Sequence, residues 1–504
     1  MKTIIALKSS IISLVSQMIS ILLTLLCTRI FVLELGTEIR GLNGLITNCV
    51  GILALSDLGI GIAITYALYQ PLVEDNKKEI AVIMKLYKRI YYFIGVAVFC
   101  MGIVMSFFLD YFIKNSTYNW NYIIVLFYIQ LLCTVSTYFL GAYKRNLLYA
   151  DQKQYIISTV DTISLVIFSI IKILVLMLCK SYILFMIIQI IQTVGSNITI
   201  SFICDRIYPF LKEDSKEKYD KLPQLITNIK NIFFGRLGAF VYCSTDNLII
   251  SRFLGVIEVG LMANYYDVFN VLNALASSIT SPIQPMIGNY IREYKDIDKS
   301  YDLFLVYTFI RYCIANIVSV SAIVMIIPFI QLWLGDSFIM PLAIPILMAV
   351  DVYISVVHGS TGEYLSVLGL FKNDRNMNLI GMVLNLVFSI ILVKEYGSIG
   401  VLIGTIISQL YYWVARAYVV FTKYFKKGIC KYITKVLAYT MLTVFDVIIL
   451  VTLRNILYVK IDLKGFILMC CICVFVEIVS IILFFGRTKE FAVMMQMICK
   501  WLKK

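Results

Sequence analysis

From residue 9 to residue 485 the chain is written in apolar runs of about twenty residues or more, separated by short polar breaks. This pattern limits the fold more than any other feature. A helical run of that length matches the roughly 30 Å of bilayer hydrocarbon. In hydrocarbon the backbone must satisfy its own hydrogen bonds, which a helix does within one segment. Fourteen runs are predicted, at roughly 9–33, 42–69, 84–109, 119–143, 154–179, 181–204, 225–253, 259–289, 301–328, 339–370, 375–393, 396–422, 432–453 and 463–485. Several are longer than a span requires, so tilt or kinks are expected. The first run has no small-residue cleavage site and many others follow it, so it reads as a permanent helix. With 61% hydrophobic and 15% charged residues and a mean hydropathy of +0.89, a soluble domain is excluded. The expected fold class is an all-α polytopic membrane protein.

The net charge of +14 would suit a nucleic-acid partner if the basic residues formed a stripe. They lie instead in short loops between apolar runs, as the positive-inside rule produces. Counted over alternate loops with the N-terminus inside, Lys and Arg number 28 on one side and 7 on the other. Both termini are therefore expected in the cytoplasm, and no nucleic-acid partner is expected. The longest polar connection, residues 205–224, falls inside and between two sets of six runs.

The chain also repeats itself. Leu35-Gly36, four residues, then Gly41-Leu42 returns as Leu254-Gly255, four residues, then Gly260-Leu261. Arg29 precedes the first copy and Arg252 the second, and the helices that follow end in Gln70-Pro71 and Gln284-Pro285. Six spans are an even number, so both copies enter from the same side and the repeats are expected to be parallel. The expected organisation is a six-helix lobe at 1–206, a cytoplasmic linker at 207–224, a second six-helix lobe at 225–424, and spans 13 and 14 with a basic tail at 425–504. Gly59, Gly61, Pro282 and Pro285 stand at equivalent places in the two copies, as hinges or as local kinks.

Little in the chain suggests catalysis. It has no phosphate-cradling Gly-x-x-x-x-Gly-Lys-Ser/Thr loop and no external loop large enough for an acidic catalytic domain. The 13 cysteines, Cys470, Cys471 and Cys473 among them, lie largely in apolar runs without metal-ligand spacing, so no metal or cofactor is expected. His358, the single histidine, is either a hydrogen-bonded bundle residue or a proton sensor.

Charges inside spans are more telling, because each is costly in hydrocarbon and belongs in a bundle interior or wet cavity unless it reaches the interface. They are Arg29, Lys172, Arg236, Arg252, Arg311, Arg416, Asp57, Asp161, Asp246, Asp267, Asp351, Glu363, Asp446 and Glu477. Arg29, Arg252 and Asp161 stand nearest the predicted ends, where snorkelling competes with a buried role. Arg236, Cys243 and Asn247 share one helix face, with Asp246 bordering it. For Arg236, an ion pair with a neighbouring span and contact with an anionic substrate both stay open. Arginine suits phosphate because its planar fork donates two parallel hydrogen bonds.

Four stretches, Gly41-Leu-Asn-Gly-Leu-Ile-Thr-Asn, Leu55-Ser-Asp-Leu-Gly-Ile-Gly, Ser244-Thr-Asp-Asn-Leu-Ile-Ile-Ser and Tyr396-Gly-Ser-Ile-Gly-Val-Leu-Ile-Gly-Thr-Ile-Ile-Ser, in this order, resemble the Wzx-type oligosaccharide flippases of the polysaccharide transporter family. These are relatives of the lipid II flippase and of the multidrug and toxin extrusion transporters. Members often carry Glu where Asp57 stands, a change that keeps the charge. The resemblance covers essentially the whole chain. It implies movement of undecaprenyl-pyrophosphate-linked sugar repeat units across the bacterial cytoplasmic membrane, by alternating access of two lobes, for O-antigen, capsule or exopolysaccharide. The implied partners are that lipid-linked glycan, membrane lipid, and polysaccharide polymerase and chain-length machinery. Expected substrate contacts are Arg236, Arg311, Arg29, Arg252 and Asn247, with Asp57 and Asp246 in ion coupling or ion pairing. The rival expectation is a cation-coupled multidrug antiporter.

Overall fold

The computed structural model describes residues 2–54, 60–212, 223, 226, 245–280, 283–294, 296–457 and 462–502, and among them there is helix and no strand. In the first half the helices are α1 (Lys2–Leu53), α2 (Ile60–Val73), α3 (Lys77–Ser106), α4 (Leu109–Phe112), α5 (Trp120–Phe139), α6 (Lys144–Ala150), α7 (Gln154–Cys179), α8 (Tyr182–Ile207), α9 (245–254) and α10 (Val256–Thr280). In the second half they are α11 (Ile283–Tyr294), α12 (Ile297–Trp333), α13 (Ala343–Val367), α14 (Phe371–Tyr396), α15 (Ser398–Val419), α16 (Cys430–Leu457), α17 (Leu463–Phe485) and α18 (Lys489–Leu502).

Among the described residues, 11 helices are long and apolar enough to cross a membrane. They correspond to all the predicted runs except the second, seventh and eighth. The second run is divided between the end of α1 and α2. Most of the seventh lies outside the described residues, as do Arg236, Asp57, Gly59, Pro282 and most of the expected linker. The eighth corresponds to α10, where Asn264, Asp267, Asn270 and Asn273 lower the hydropathy of an otherwise long helix. The protein is thus a multi-pass, all-helical membrane protein.

Helix boundaries follow local chemistry. Asn76 caps α3 by accepting from the Glu79 amide at 3.2 Å, while its own amide group donates to the Glu79 carboxylate at 3.2 Å. This reciprocal arrangement satisfies an orphan donor of the first turn. Asn119 and Ser181 cap α5 and α8 in the simpler way, and Lys180 closes α7 in a left-handed conformation.

The chain forms two compact units, Met1–Ala263 and Asn264–Lys504. In the first, α1 lies along α7, α7 packs on α8, and α5 bridges α3 and α8. In the second, α13 lies between α12 and α15, α14 and α15 form the closest pair, and α16 and α17 both pack on α12. The α14–α15 approach uses the Gly400-x-x-x-Gly404 face: a Cβ at Gly400 would come within 2.3 Å of the Leu392 carbonyl oxygen. Small residues at this spacing let membrane helices meet backbone to backbone.

The sequence repeat has a structural counterpart within the first unit. Gly36 and Gly255 break their helices at φ of +82° and +99°, a region that L side chains seldom enter. Five residues beyond each break the two copies cross. A Cβ on Gly41 would lie 1.9 Å from the Val256 carbonyl oxygen, and a Cβ on Gly260 would lie 2.0 Å from the Thr37 carbonyl oxygen. Thr37 follows Gly36 as Val256 follows Gly255, so the contact is reciprocal: each copy sets its glycine on the other's first helical carbonyl. A local two-fold relation produces such an exchange.

Candidate functional site

Polar side chains inside the bundles are gathered into networks. In the second unit, Tyr307 and Arg311 share a face of α12 at i and i+4, directed at α13. Arg311 Nε donates to the Val356 carbonyl at 2.5 Å, and Nη1 donates to Glu363 Oε1 at 2.7 Å and to the Tyr307 hydroxyl at 2.9 Å. The Tyr307 hydroxyl in turn donates to Glu363 Oε2. Gly359 makes room for this: a Cβ there would sit 2.0 Å from Arg311 Nη2. Arg311 is buried, while the Glu363 side chain keeps 21% of its surface exposed. The result is a guanidinium seated on a helix backbone, with a carboxylate and a phenol on one edge.

Further along α13, His358 Nε2 lies 2.8 Å from Gln409 Oε1 of α15, fully enclosed. The hydrogen-bonded bundle reading of His358 is the one this geometry supports. Arg416 of α15 forms the second cationic cluster. Its Nε donates to Asp374 Oδ1 at 2.8 Å, its Nη2 to Asn378 Oδ1 at 2.9 Å, and its guanidinium lies 5.1 Å from the Tyr412 ring centre. Gly362 borders it, so glycines three residues apart on α13 seat two arginines from two different helices.

The first unit has its own network. Arg145 of α6 forms a two-pronged pair with Asp161 of α7, at 2.7 and 2.9 Å. Arg145 also donates to Ser196 and Asn197 of α8, at 3.0 Å each. Beside it is a cavity of about 270 Å³ lined by Ser20, Arg145, Asp161, Ser164, Gln192 and Ser196, among others. Asp161 is thus paired with Arg145 while its side chain keeps 43% of its surface exposed. Deeper on α7, the buried Lys172 ammonium donates to Gln189 and to Gln192 Oε1, the latter at 2.6 Å. Gln192 therefore joins the lysine to the cavity wall.

Of the expected site residues, Arg311 falls within a built network. Arg29 is exposed on α1. Arg252 is half-buried on α9, with its guanidinium 4.4 Å from the Tyr111 ring centre. Asp246 is buried and its neighbour Asn247 half-buried. Arg236 and Asp57 lie outside the described residues. The sequence alone names no partner for Arg145, Arg416 or Glu363. The i, i+4 spacing of Tyr307 and Arg311 was a readable signal; the glycine seats at 359 and 362 were visible only as composition.

A bundle of long apolar helices with charge networks in its interior defines a multi-pass membrane protein. The chain is similar in structure to a lipid II flippase, MurJ, in an inward closed conformation, with a TM-score of 0.70 at 14% identity over 94% of this chain and 99% of that one. It is also similar to an inward-facing multidrug resistance MATE family transporter of the MOP superfamily (TM-score 0.60, 14% identity, 81% of this chain and 96% of that one). A variant of the Vibrio cholerae MATE transporter VcmN matches at a TM-score of 0.54 and 13% identity, over 84% of this chain and 99% of that one. At these identities the likeness is one of fold. Among curated proteins, none matches the chain. The family model described as "Polysaccharide biosynthesis protein" matches residues 6–291, and the chain belongs to that family.

Proposed function

We propose that this protein flips undecaprenyl-pyrophosphate-linked oligosaccharide repeat units across the bacterial cytoplasmic membrane, supplying surface polysaccharide such as O-antigen or capsule. The observation that carries the reading is the union of a polysaccharide-biosynthesis family match with the fold of a lipid II flippase. The chemistry supports it. A pyrophosphate and several sugars cannot enter hydrocarbon, whereas a prenyl tail can stay in it. The protein then has to supply a wet, partly cationic path beside lipid.

In this reading two parallel six-helix lobes, 1–206 and 225–424, alternate in exposing that path, joined by a cytoplasmic linker at 207–224 and followed by spans 13 and 14 within 425–504. Both termini lie in the cytoplasm. Arg236 and Arg311 hold the pyrophosphate or acidic sugars. Arg29 and Arg252 act at the gates or in support of those contacts, Asn247 contacts the substrate, and Asp57 and Asp246 pair with these arginines or couple an ion. The Glu363 and Tyr307 contacts would hold the Arg311 fork ready, since a preoriented guanidinium loses less freedom on binding a phosphate. Polymerase and chain-length machinery are the partners downstream.

The test is leaflet translocation in proteoliposomes. An undecaprenyl-pyrophosphate oligosaccharide begins in one leaflet, and its arrival in the other is timed with and without a pH or sodium gradient. Protein-dependent arrival is expected. A failure with several glycans, together with gradient-driven export of a cationic dye, would replace this reading with the multidrug antiport that the MATE-like fold also accommodates.

A further inference from the structure

The two C-terminal spans carry a feature that a lipid-facing appendage does not need. Helices α16 and α17 pack on α12 through an apolar layer of Val320, Val324, Met325, Leu450, Met469 and Cys473. Two carboxylates, Asp446 and Glu477, lie in the same interface, each with no exposed surface. Asp446 Oδ2 accepts from Asn316 Nδ2 of α12 at 2.9 Å, and Asn316 Oδ1 accepts from Thr443 Oγ1 at 2.7 Å. Glu477 Oε1 accepts from Ser321 Oγ, also of α12, at 3.2 Å. Each acid therefore has one oxygen tied to α12 by a neutral donor.

The other two oxygens, Asp446 Oδ1 and Glu477 Oε2, are buried without a hydrogen-bond partner. Ser480 lies beside Asp446 but makes no hydrogen bond to Oδ1. The two acids act on each other electrostatically. The titratable groups that interact with them are Tyr312 from α12, which acts on Asp446, and Cys473 from α17, which acts on Glu477; Cys313 and Tyr353 lie around Tyr312, and Cys470 and Arg454 around Cys473. Arg454 turns its Nη1 to the Val324 carbonyl at 3.0 Å. Among the described residues no Lys, Arg or His comes within ion-pair distance of either acid.

Two like charges in a dry, apolar interface without a counter-charge are not a stable arrangement. An isolated buried carboxylate costs several kcal/mol even after relaxation, and acids in such places take up a proton instead. A protonated carboxyl can donate as well as accept, whereas an ionised one only accepts. We propose that Asp446 and Glu477 form a proton-binding site between α12 and the C-terminal helix pair, so that docking of α16 and α17 on α12 is proton-linked. At neutral pH at least one of the two acids carries a proton in the folded protein. Raising the pH then removes stability, because a buried charge is left behind when the proton goes.

The test uses the full-length protein in detergent or nanodiscs. Infrared spectra at neutral pH are expected to show the carbonyl stretch of a protonated carboxyl, shifted in heavy water and lost in Asp446→Asn/Glu477→Gln. Thermal unfolding of the wild type is expected to move to lower temperature from mildly acidic to mildly alkaline pH, with that part of the shift lost in the double variant. Glu477→Gln alone keeps the shape and an amide donor; it serves as the folded reference if the double variant does not assemble, and it too should lose the band that Glu477 contributes or flatten the pH response. Absence of the band, or an unchanged pH response in both variants, would overturn the proposal. So would stability that follows sodium concentration at constant pH, which would make the site a metal site.

Discussion

Replacing Arg311 by Met tests whether its network is scaffold, substrate contact or both. The side chain is 8% exposed and is tied to Glu363 at 2.7 Å, to Tyr307 at 2.9 Å and to the Val356 carbonyl at 2.5 Å. Methionine fills much of the same volume but strands Glu363. Breaking a buried pair from one side costs about 3–5 kcal/mol. The partial exposure of Glu363 places this case at the lower end, about 3 kcal/mol. The double variant Arg311→Met/Glu363→Met removes both charges, and it should lie within about 1.5 kcal/mol of wild type, as replacing a buried pair by packed apolar groups is often neutral. Unfolding in matched detergent gives the stabilities, and the leaflet assay gives the flipping rate. The expected result is a destabilised single variant, a double variant near wild-type stability, and no flipping by either. A single variant that loses less than about 1 kcal/mol would refute the buried-pair argument. A stable double variant that flips at the wild-type rate would refute the role in substrate binding.

Gly41→Ala and Gly260→Ala should each destabilise the protein by at least about 1–3 kcal/mol, the usual cost of overpacking, because the new methyl meets a carbonyl oxygen rather than a flexible side chain; comparable thermal stability in both variants would contradict the reciprocal crossing. Gly359→Ala should reproduce the transport defect of Arg311→Met with both charges still present, checked by the same leaflet assay. Arg145→Lys loses the two-pronged contact with Asp161, and a fall in thermal stability larger than that of Lys144→Arg is expected. Asp296, outside the spans, accepts from the backbone amides of Lys299 and Asp298 at 3.1 and 3.0 Å. The Lys299 amide is the leading cause that holds its carboxyl below the usual range. The stability it contributes is present above the ordinary Asp range and is lost as pH falls through its lowered value; hydrogen exchange at the start of α12 should accelerate in acid, and Asp296→Asn should remove that acid sensitivity.

The helices are legible in the sequence, because what makes them is local. A long apolar run must be a helix in a bilayer, and 11 helices among the described residues have that character. The sequence also showed the doubled glycine motif, and the positive φ at Gly36 and Gly255 agrees with what glycine at a helix break implies. The crossing of Gly41 on Val256 and Gly260 on Thr37 was not legible, because motif equivalence does not say that the copies touch. Pairing of charges belongs wholly to the tertiary structure. Arg311 and Glu363 are separated by 52 positions and Asn316 and Asp446 by 130, and an isolated sequence offers several carboxylates for each arginine. Asp161 stood near a predicted span end, where snorkelling competed with a buried role; packing of α6 against α7 gave it Arg145. Hydrocarbon decides that a buried charge must find a partner or a proton, and helix packing decides which.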